Sequence, residues 1–511
     1  MKLNIKSSSK ILLIAMVVLG TGCKKFLEEK DPSNLQPDTY YTIPEHAEAS
    51  IAAGYAQTRF IGNGAGIFAA NFSMLELVTG TAKTETGQNS DLNNLAGLSF
   101  TGENLLVRNW WAGLYNVIAQ TNLTIQKVPG INPMDETRKA QVLGEARFLR
   151  AWAYFYLVRL YGDVPLILVP QTTGSPDFYP TRTGTEAVYK QIVEDLTVAE
   201  TAGLPWQQAS GTASKGAAKA LLAKVYLTMA GFPLNKGVPY YKLAADKSLE
   251  VIKDGGFGLF DTYAELHSLT TENRKEHMFE IQYLASVATN PMQQLLLPNF
   301  KDVSAYSDEV GSTVPTANFY NSYEAGDLRA KDRVGFFYTS YYTGGDGALK
   351  QLNAPYIFKH FDVVANGTLG VKGTAQSSLN WPQIRYAEVL LTYAEAQNRA
   401  DGAPNQAAYD AINAIRGRAL LTPASGLGQT QFEEAVWRER WHELCYEGIT
   451  WFDMVRLRKV YNETTNGFDN FVGHAFAATP NVVLAEKHLL FPLPTVDFKN
   501  NPNLRPQNPG Y

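Results

Sequence analysis

The chain has 511 residues, and 45 Lys and Arg stand against 49 Asp and Glu for a formal charge of −4. That balance leaves no basic footprint for nucleic acid, and only two cysteines, Cys23 and Cys445, exclude zinc sites built on cysteine pairs. Hydrophobic residues at 45% support a sizeable core, and aromatics at 12% direct attention to a stacking surface.

The chain opens with Lys2, Lys6 and Lys10 and no acid, followed by the apolar run from Ile11 to Leu19. This is the basic and apolar order of an export signal. As a helix the run covers about 14 Å, roughly half of the ~30 Å hydrocarbon core, so it is too short to span a membrane. Gly20, Thr21 and Gly22 lead into Cys23, the order a lipoprotein signal peptidase takes. Leu19 lies four places before the cysteine, where a lipobox has leucine three before, with Gly20 in that slot. The reading is a lipoprotein signal peptide over 1–22 and a diacylglyceryl group on the Cys23 thiol, which becomes the first residue. Cleavage removes three lysines and no acid, taking the formal charge from −4 to −7. Two or three acyl chains, at about 0.8 kcal/mol per buried methylene, hold a protein on a membrane persistently. With Cys23 acylated, Cys445 has no disulfide partner. Residues 23–40 are polar, with Pro32 and Pro37, and read as an extended tether; 41–511 show no linker and read as a single body.

"GNGAGIF" near Gly62 lacks the Lys-Ser/Thr ending of a phosphate loop and reads as a flexible connection. "NSDLNNLAGLSFTGEN" has no helical period. In "WAGLYNVIAQTNLTI", Trp111 precedes Tyr115 by four and belongs to the core stripe, while Trp110 points elsewhere on the helix and is a candidate stacking ring. "TEAVYKQIVEDLTVAETA" places Val188, Ile192, Leu196 and Ala199 on one face. "SKGAAKALLAKVYLTMAG" does the same with Ala218, Leu221, Leu222, Val225 and Met229, and "YYKLAADKSLEVIKDGGF" ends at the Gly255-Gly256 stop. Small residues interleaved with large ones, helix after helix, predict hairpins of the tetratricopeptide type, although no strict period is present.

"PNFKDVSAYSDEVGSTVPT" is again irregular. "FFYTSYYTGGDGALKQLNAPYIFKHF" predicts two short strands joined through Gly344, Gly345 and Gly347. A further helical pair follows: Val389, Leu390, Tyr393 and Ala394 line one helix, "ADGAPN" turns the chain, and Ala408, Ile412 and Ile415 line the next. In "RERWHELCYEGITWFD", Glu439, Glu443 and Glu447 recur every four residues and are expected on one helix face, paired with Arg438, Arg440, Arg456 or Arg150. Carboxylates stacked along one helix cannot flank a glycosidic bond, which retaining and inverting glycosidases require. The H-E-x-x-H zinc pattern fails at Tyr446, and no Gly-x-Ser-x-Gly elbow is present. Pro492, Pro494, Pro502, Pro506 and Pro509 forbid a long helix at the end of the chain, which is expected to clasp the helical body.

Eight segments taken together resemble the SusD/RagB family of outer-membrane nutrient-binding lipoproteins, over nearly the whole chain. They are "WAGLYNVIAQTNLTI", "EARFLRAWAYFYLVRLYGDVPLI" with Glu145, Arg150 and Asp163, "HMFEIQY", "PTANFYNSYEAGDLR", "IRYAEVLLTYAEAQNR", "AINAIRGRA", "AVWRERWHELCYEGITWFDMVR" and "LLFPLPTVDFKNNPNLRPQNPGY", in the family's order. The resemblance implies a mainly α fold: a tetratricopeptide-like helical-hairpin scaffold with a loop-rich half and a few short β-strands. It implies an outer-membrane, lipid-anchored, cell-surface protein with no cofactor beyond its acyl lipid, no catalytic residue and no metal. Its implied partner is a SusC-like TonB-dependent transporter, to which it hands oligosaccharide.

In that family the ligand site lies in loops matching about 80–105 and 285–380 here, a transfer by region and not by matched residue. The first loop offers Asn89, Asp91, Asn93, Asn94 and Phe100; the second offers Asn299, Tyr306, Asp308, Tyr341 and Tyr342. Rings that stack on sugar C–H faces and amides or carboxylates that bond hydroxyls are the chemistry such a site needs. Three alternatives stay open: a binder of peptides or another non-glycan nutrient, a surface glycosidase using a loop carboxylate, and a transporter lid without a ligand of its own.

Overall fold

A computed structural model describes residues 40–66, 68–299, 310–342, 348–367 and 376–511. The expected signal peptide, Cys23, the tether up to residue 39, Tyr306, Asp308 and the glycine turn at 344–347 lie outside the described residues. Among the described residues, ten helices of eight residues or more carry the body: α1 (Pro44–Thr58), α2 (Leu105–Lys127), α3 (Glu136–Tyr161), α4 (Thr185–Thr201), α5 (Lys215–Ala230), α6 (Val238–Asp254), α7 (Tyr386–Asp401), α8 (Gln406–Arg418), α9 (Gln429–Glu443) and α10 (Thr450–Leu457). From α1 to α8 each packs on the next, the arrangement of stacked helical hairpins. Side chains cap several of them: Asn104, Asp135, Ser214 and Asn405 accept from backbone N–H groups of the first turns of α2, α3, α5 and α8.

The predicted apolar faces of α4, α5 and α8 are all buried. From Phe148 to its end α3 is buried on every side, which marks it as the central helix. Close approach matters there, because a Cβ on Gly144 would sit 2.4 Å from the Ala202 Cβ just past α4. Polar ties fix the same helix to its neighbours. Arg150 donates from Nε and Nη2 to the two Asp195 oxygens on α4, at 2.8 Å each, and from Nη1 to Asn122 Oδ1 on α2 at 2.9 Å. Glu145 accepts from Tyr55 Oη on α1 and from Arg138 Nη1, both at 2.8 Å.

Among the described residues, ten short strands form five antiparallel pairs: β1 (Ala82–Lys83) with β3 (Val314–Pro315), β2 (His277–Ile281) with β6 (Trp381–Arg385), β4 (Phe337–Tyr342) with β5 (Leu349–Ile357), β7 (Lys459–Asn462) with β8 (Gly467–Asn470), and β9 (Ala475–Phe476) with β10 (Thr479–Val483). The β4–β5 hairpin is the predicted one, with Tyr342 opposite Leu349. Its rings build a second, smaller core of Tyr338, Tyr341, Tyr356, Phe358 and Phe361 beneath the loop-rich half. The glycine-rich stretch after α1 is a small closed turn in which Gly64 bridges Ala70 and Ala65 N–H donates to Ala69 O at 2.9 Å.

The C-terminal clasp forms as expected. Its helical pieces are short, Thr495–Asn500 and the 3-10 turn Pro502–Leu504, and Phe491 N–H donates to Leu160 O at 2.7 Å. The buried Asn508 donates to Tyr161 O and Phe491 O, at 3.0 and 2.7 Å.

Two expectations about the acidic motif are corrected. Helix α9 stops at Glu443, and Tyr446 takes a left-handed φ of 61°, so Glu447 lies beyond the helix that carries Glu439 and Glu443. The partners also differ from those expected. Glu439 pairs with Arg329 and Arg416, Glu443 with Arg385 and Arg418, and Glu447 with Arg385 and Lys359. Arg440 pairs instead with Asp453, Arg456 with Glu395 and Asp453, and Arg150 with Asp195, while Arg438 donates to Asn466 O at 3.0 Å. The cations that neutralise the motif come from distant segments, which spacing within the motif cannot reveal.

Glu280 on β2 is buried, and among the described residues no guanidinium or ammonium is in ion-pair contact with it. Burial pushes its carboxyl up to about 8, and burial holds the neighbouring His277, 3.1 Å away, down to about 4, so the pair is neutral at pH 7. A carboxyl raised on folding binds its proton more tightly in the native state. Its contribution is therefore full below about 4.5 and is lost as pH rises toward about 8. In urea unfolding, Glu280→Gln is expected to differ little from the parent at pH 5 and to be the more stable of the two at pH 9. A constant offset at both pH values would contradict a protonated Glu280.

Candidate functional site

The two predicted loop regions meet through main-chain and side-chain bonds around Glu85. Strand β1 pairs with β3, setting Ala82 opposite Pro315 and Lys83 opposite Val314. One step further on, Glu85 N–H donates to Gly311 O at 2.9 Å, and Asn299 Nδ2 donates to Glu85 O at 3.0 Å. The half-buried Glu85 carboxylate accepts from Tyr356 Oη on β5 and lies 3.2 Å from Lys83 Nζ. Burial, and then that carboxylate, push the Tyr356 phenol well above its ordinary value, so it remains a donor.

Beside this junction the short helix Ser90–Ala96 is organised by amides. Asn89 Oδ1 accepts from Leu92 N–H at 3.0 Å and its Nδ2 donates to Ala65 O at 3.3 Å. Asn93 Nδ2 donates to Asn89 O at 2.7 Å and, more weakly, to Gly87 O and Thr86 O. Asn94 Oδ1 accepts from Ser99 Oγ at 3.3 Å. The Asp91 main chain is tied down by Asn104 Nδ2, which donates to its carbonyl at 3.0 Å. Lys83, Asn93, Asn94 and Asn299 remain exposed and Asp91 half-exposed, so the joined segments carry amide, ammonium and carboxylate groups at the surface.

The structure thus brings Asn299 of the second loop to Glu85 of the first, just before the short helix that carries Asp91, Asn93 and Asn94. It removes others from the surface. Asn89 is 5% exposed and acts as a helix cap. Phe100 is 1% exposed, its ring stacked 5.0 Å from Phe491 and 5.9 Å from Tyr511 under the C-terminal clasp. Tyr341 is fully buried in the second core. Trp110 is also core: it is 1% exposed and donates from Nε1 to Asn71 O at 2.7 Å, so it offers no stacking face. Tyr342 sits on β4, with its side chain outside the described residues. Glu85, Lys83 and Tyr356 were missed, because nothing in "TAKTETG" or "NAPYIF" shows that the two segments touch.

A second surface carries the exposed rings that the aromatic content led us to expect. A groove of about 630 Å³ runs between α2, the stretch after α3 and the clasp, with Tyr115 on its wall. Phe178 and Tyr179 stand half-exposed at its edge, ring centroids 5.0 Å apart and edge to face at 78°, with Gln171 and Asn500 nearby. Among the described residues no group of three His, Cys, Asp or Glu could hold a metal ion, and no helix is long and apolar enough to cross a membrane. Cys445 is a free, buried thiol that burial pushes up to about 11.

Stacked helical hairpins carrying a loop-built polar rim, with the end of the chain folded back as a clasp, define a scaffold-and-loops binding protein. Residues 333–511 match the model of the SusD family, and residues 25–227 match a family described as starch-binding and associating with the outer membrane. The crystal structure of a SusD superfamily protein from Parabacteroides distasonis superposes with a TM-score of 0.86 at 36% identity, covering 94% of this chain and 100% of that one. SusD-like protein P2 of Formosa agariphila is 28% identical over 98% of this chain and 99% of its own. The starch-binding protein SusD of Bacteroides thetaiotaomicron is 25% identical, with 99% of each chain aligned. The chain belongs to the SusD family.

Proposed function

We propose that this is a non-catalytic surface lipoprotein that captures oligosaccharide on its loop-rich side and delivers it to a SusC-like TonB-dependent transporter. In this reading residues 1–22 are removed, Cys23 carries the lipid, 23–40 are the tether and 41–511 the binding body. The observation that carries the glycan assignment is the junction at Glu85. Two segments more than two hundred residues apart are joined there by Asn299, and the surrounding rim presents exposed amides beside a carboxylate and an ammonium. Hydroxyl groups of a sugar are bonded in pairs by such groups, with no proton relay required. The starch-binding name of the Bacteroides thetaiotaomicron relative, and the family description over residues 25–227, support a glycan and the outer membrane. The described carboxylates of the acidic motif are buried in ion pairs with arginines and Lys359, which supports the non-catalytic reading.

Titration calorimetry with a panel of oligosaccharides is expected to find a ligand whose affinity falls roughly tenfold, about 1.4 kcal/mol, when Asn299 and Asn94 are both changed to Ala. Binding to peptides with no response to any glycan would overturn the glycan assignment. Turnover of labelled polysaccharide, abolished by one loop carboxylate substitution, would make the protein a glycosidase instead.

A further inference from the structure

A cavity of about 610 Å³ lies away from the Glu85 junction, between the C-terminal end of α3, the first turn of α4, Phe232 and Pro233 after α5, the end of α10 and the clasp. Its size is that of a small-molecule site. Three polar atoms of residues lining it are buried and have no hydrogen-bond partner: Arg159 Nη1, Tyr189 Oη and Arg458 Nη1. Buried donors are nearly always satisfied by protein or ordered water, so these three mark where a ligand acceptor or water would bond in the cavity.

Arg159 is 7% exposed, with its guanidinium held between the rings of Phe155 and Phe452, 3.6 Å from each centroid, and its Nε donating to Phe155 O at 2.8 Å. That sandwich fixes its plane and leaves its Nη end uncommitted. Burial pulls the group down to about 10, a direction that a bound anion would reverse. Arg458 lies 5.1 Å from the Phe232 ring centroid, and the Tyr189 ring is buried beside Phe155.

The remaining charges lining the cavity are mixed, and most are already occupied. Arg182 donates to Asp163 O, Pro506 O and Asn508 Oδ1, and Arg456 is paired with Glu395 and Asp453. Lys487 Nζ rests 5.3 Å from the Tyr511 ring centroid. Of the acids, Asp163 accepts from Thr185 N–H and Oγ1 at 2.8 Å at the start of α4, and Glu486 is exposed, its charge favouring the protonated Arg458. The cations outnumber the acids, and Leu489, Leu490 and Val455 supply an apolar wall.

We propose that this cavity binds a small organic oxyanion, a carboxylate or phosphate carried on a body about the size of one sugar ring. Arg159, Arg458 and Tyr189 are its donors. A planar guanidinium with a free edge matches either oxyanion, and a phenol adds a third bond that a neutral hydroxyl ligand would not require.

The test is calorimetry on the mature protein at low salt with glucose 6-phosphate, glucuronate and glucose as probes. At least one anionic probe is expected to bind with a dissociation constant of about 1 mM or tighter, and glucose much more weakly. Arg458→Gln is expected to weaken the anion roughly tenfold and Tyr189→Phe severalfold, with the melting temperature of each variant measured alongside. Arg159→Met keeps the packed stem and is expected to abolish binding, with its melting temperature measured to separate loss of the site from loss of the fold. Binding of glucose as tight as that of both anions, no binding of any probe, or anion binding unmoved by Arg458→Gln and Tyr189→Phe would overturn the proposal. Oligosaccharide capture at the Glu85 rim is measured separately and is expected to be unchanged in these variants, so either assignment can fail alone.

Discussion

Arg385→Met is expected to cost about 3–5 kcal/mol in urea unfolding at pH 7, the range for breaking a buried ion pair from one side. Arg385 is 1% exposed and is the point where three carboxylates from separate segments converge. It donates from Nε and Nη2 to the Glu447 oxygens at 2.9 and 2.6 Å, from Nη1 to Glu276, and from Nη2 to the Glu443 carbonyl at 3.1 Å. Arg418 still holds Glu276 and Glu443 in the variant, and Lys359 still holds Glu447, so the network is left one positive charge short. Methionine replaces the aliphatic stem, which confines the loss to the charge.

The pH dependence gives the prediction a second handle. Burial alone pushes the Glu447 carboxyl up, and Arg385 and Lys359 outweigh it and hold the group well below the carboxylate range. A carboxyl depressed on folding stabilises the native state above its unfolded value near 4.5, and that contribution fades as pH falls below it. The deficit of Arg385→Met is therefore expected to be largest near neutral pH and to narrow as pH falls below about 4.5, where the parent loses the contribution of its depressed carboxyl. A deficit independent of pH would mean that Arg385 acts by packing and not by charge.

The same network shows what the sequence can and cannot disclose. The helices were legible because a buried face repeats every three to four residues within one short window. Val188, Ile192, Leu196 and Ala199 state their own burial, and so do Ala408, Ile412 and Ile415. The partners of Glu443 and Glu447 were not legible, since Arg385 stands 58 and 62 positions away and reaches them only through the β2–β6 pairing and the turn after α9. Loop aromatics failed for a related reason. Phe100 and Tyr341 sit among Gly, Ser and Asn, the composition of exposed loops, yet the clasp covers one and the β4–β5 hairpin folds over the other. The two loop segments do meet, at β1–β3 and at Glu85, while the side chains that make the contact carried no periodic signal. The clasp was legible from its prolines because excluding a helix is a local property of the residue.

Gly335→Ala is expected to be at least as damaging, about 3 kcal/mol or more, by overpacking against backbone. A Cβ at this position would lie 2.2 Å from both Leu328 O and Arg329 O and 2.4 Å from the Arg329 carbonyl carbon. Those atoms cannot rotate aside as a side chain could. Gly335 N–H donates to Lys331 O at 3.0 Å and Phe336 N–H to Arg329 O at 2.7 Å, so the turn is closed by bonds on both sides of the clash. Displacing the Arg329 main chain would also disturb its guanidinium, which binds Asp327 and Glu439 from a fully buried position and ties this turn to α9. Gly417→Ala provides the control. That glycine is exposed in the last turn of α8 with no atom near its missing Cβ, and alanine there is expected to add up to about 1 kcal/mol through helix propensity. Opposite signs for the two substitutions would show that the close approach at Gly335, and not glycine content as such, is what the fold requires. Equal and small effects would mean that the turn yields, and that the buried arginine pairs hold α9 without it.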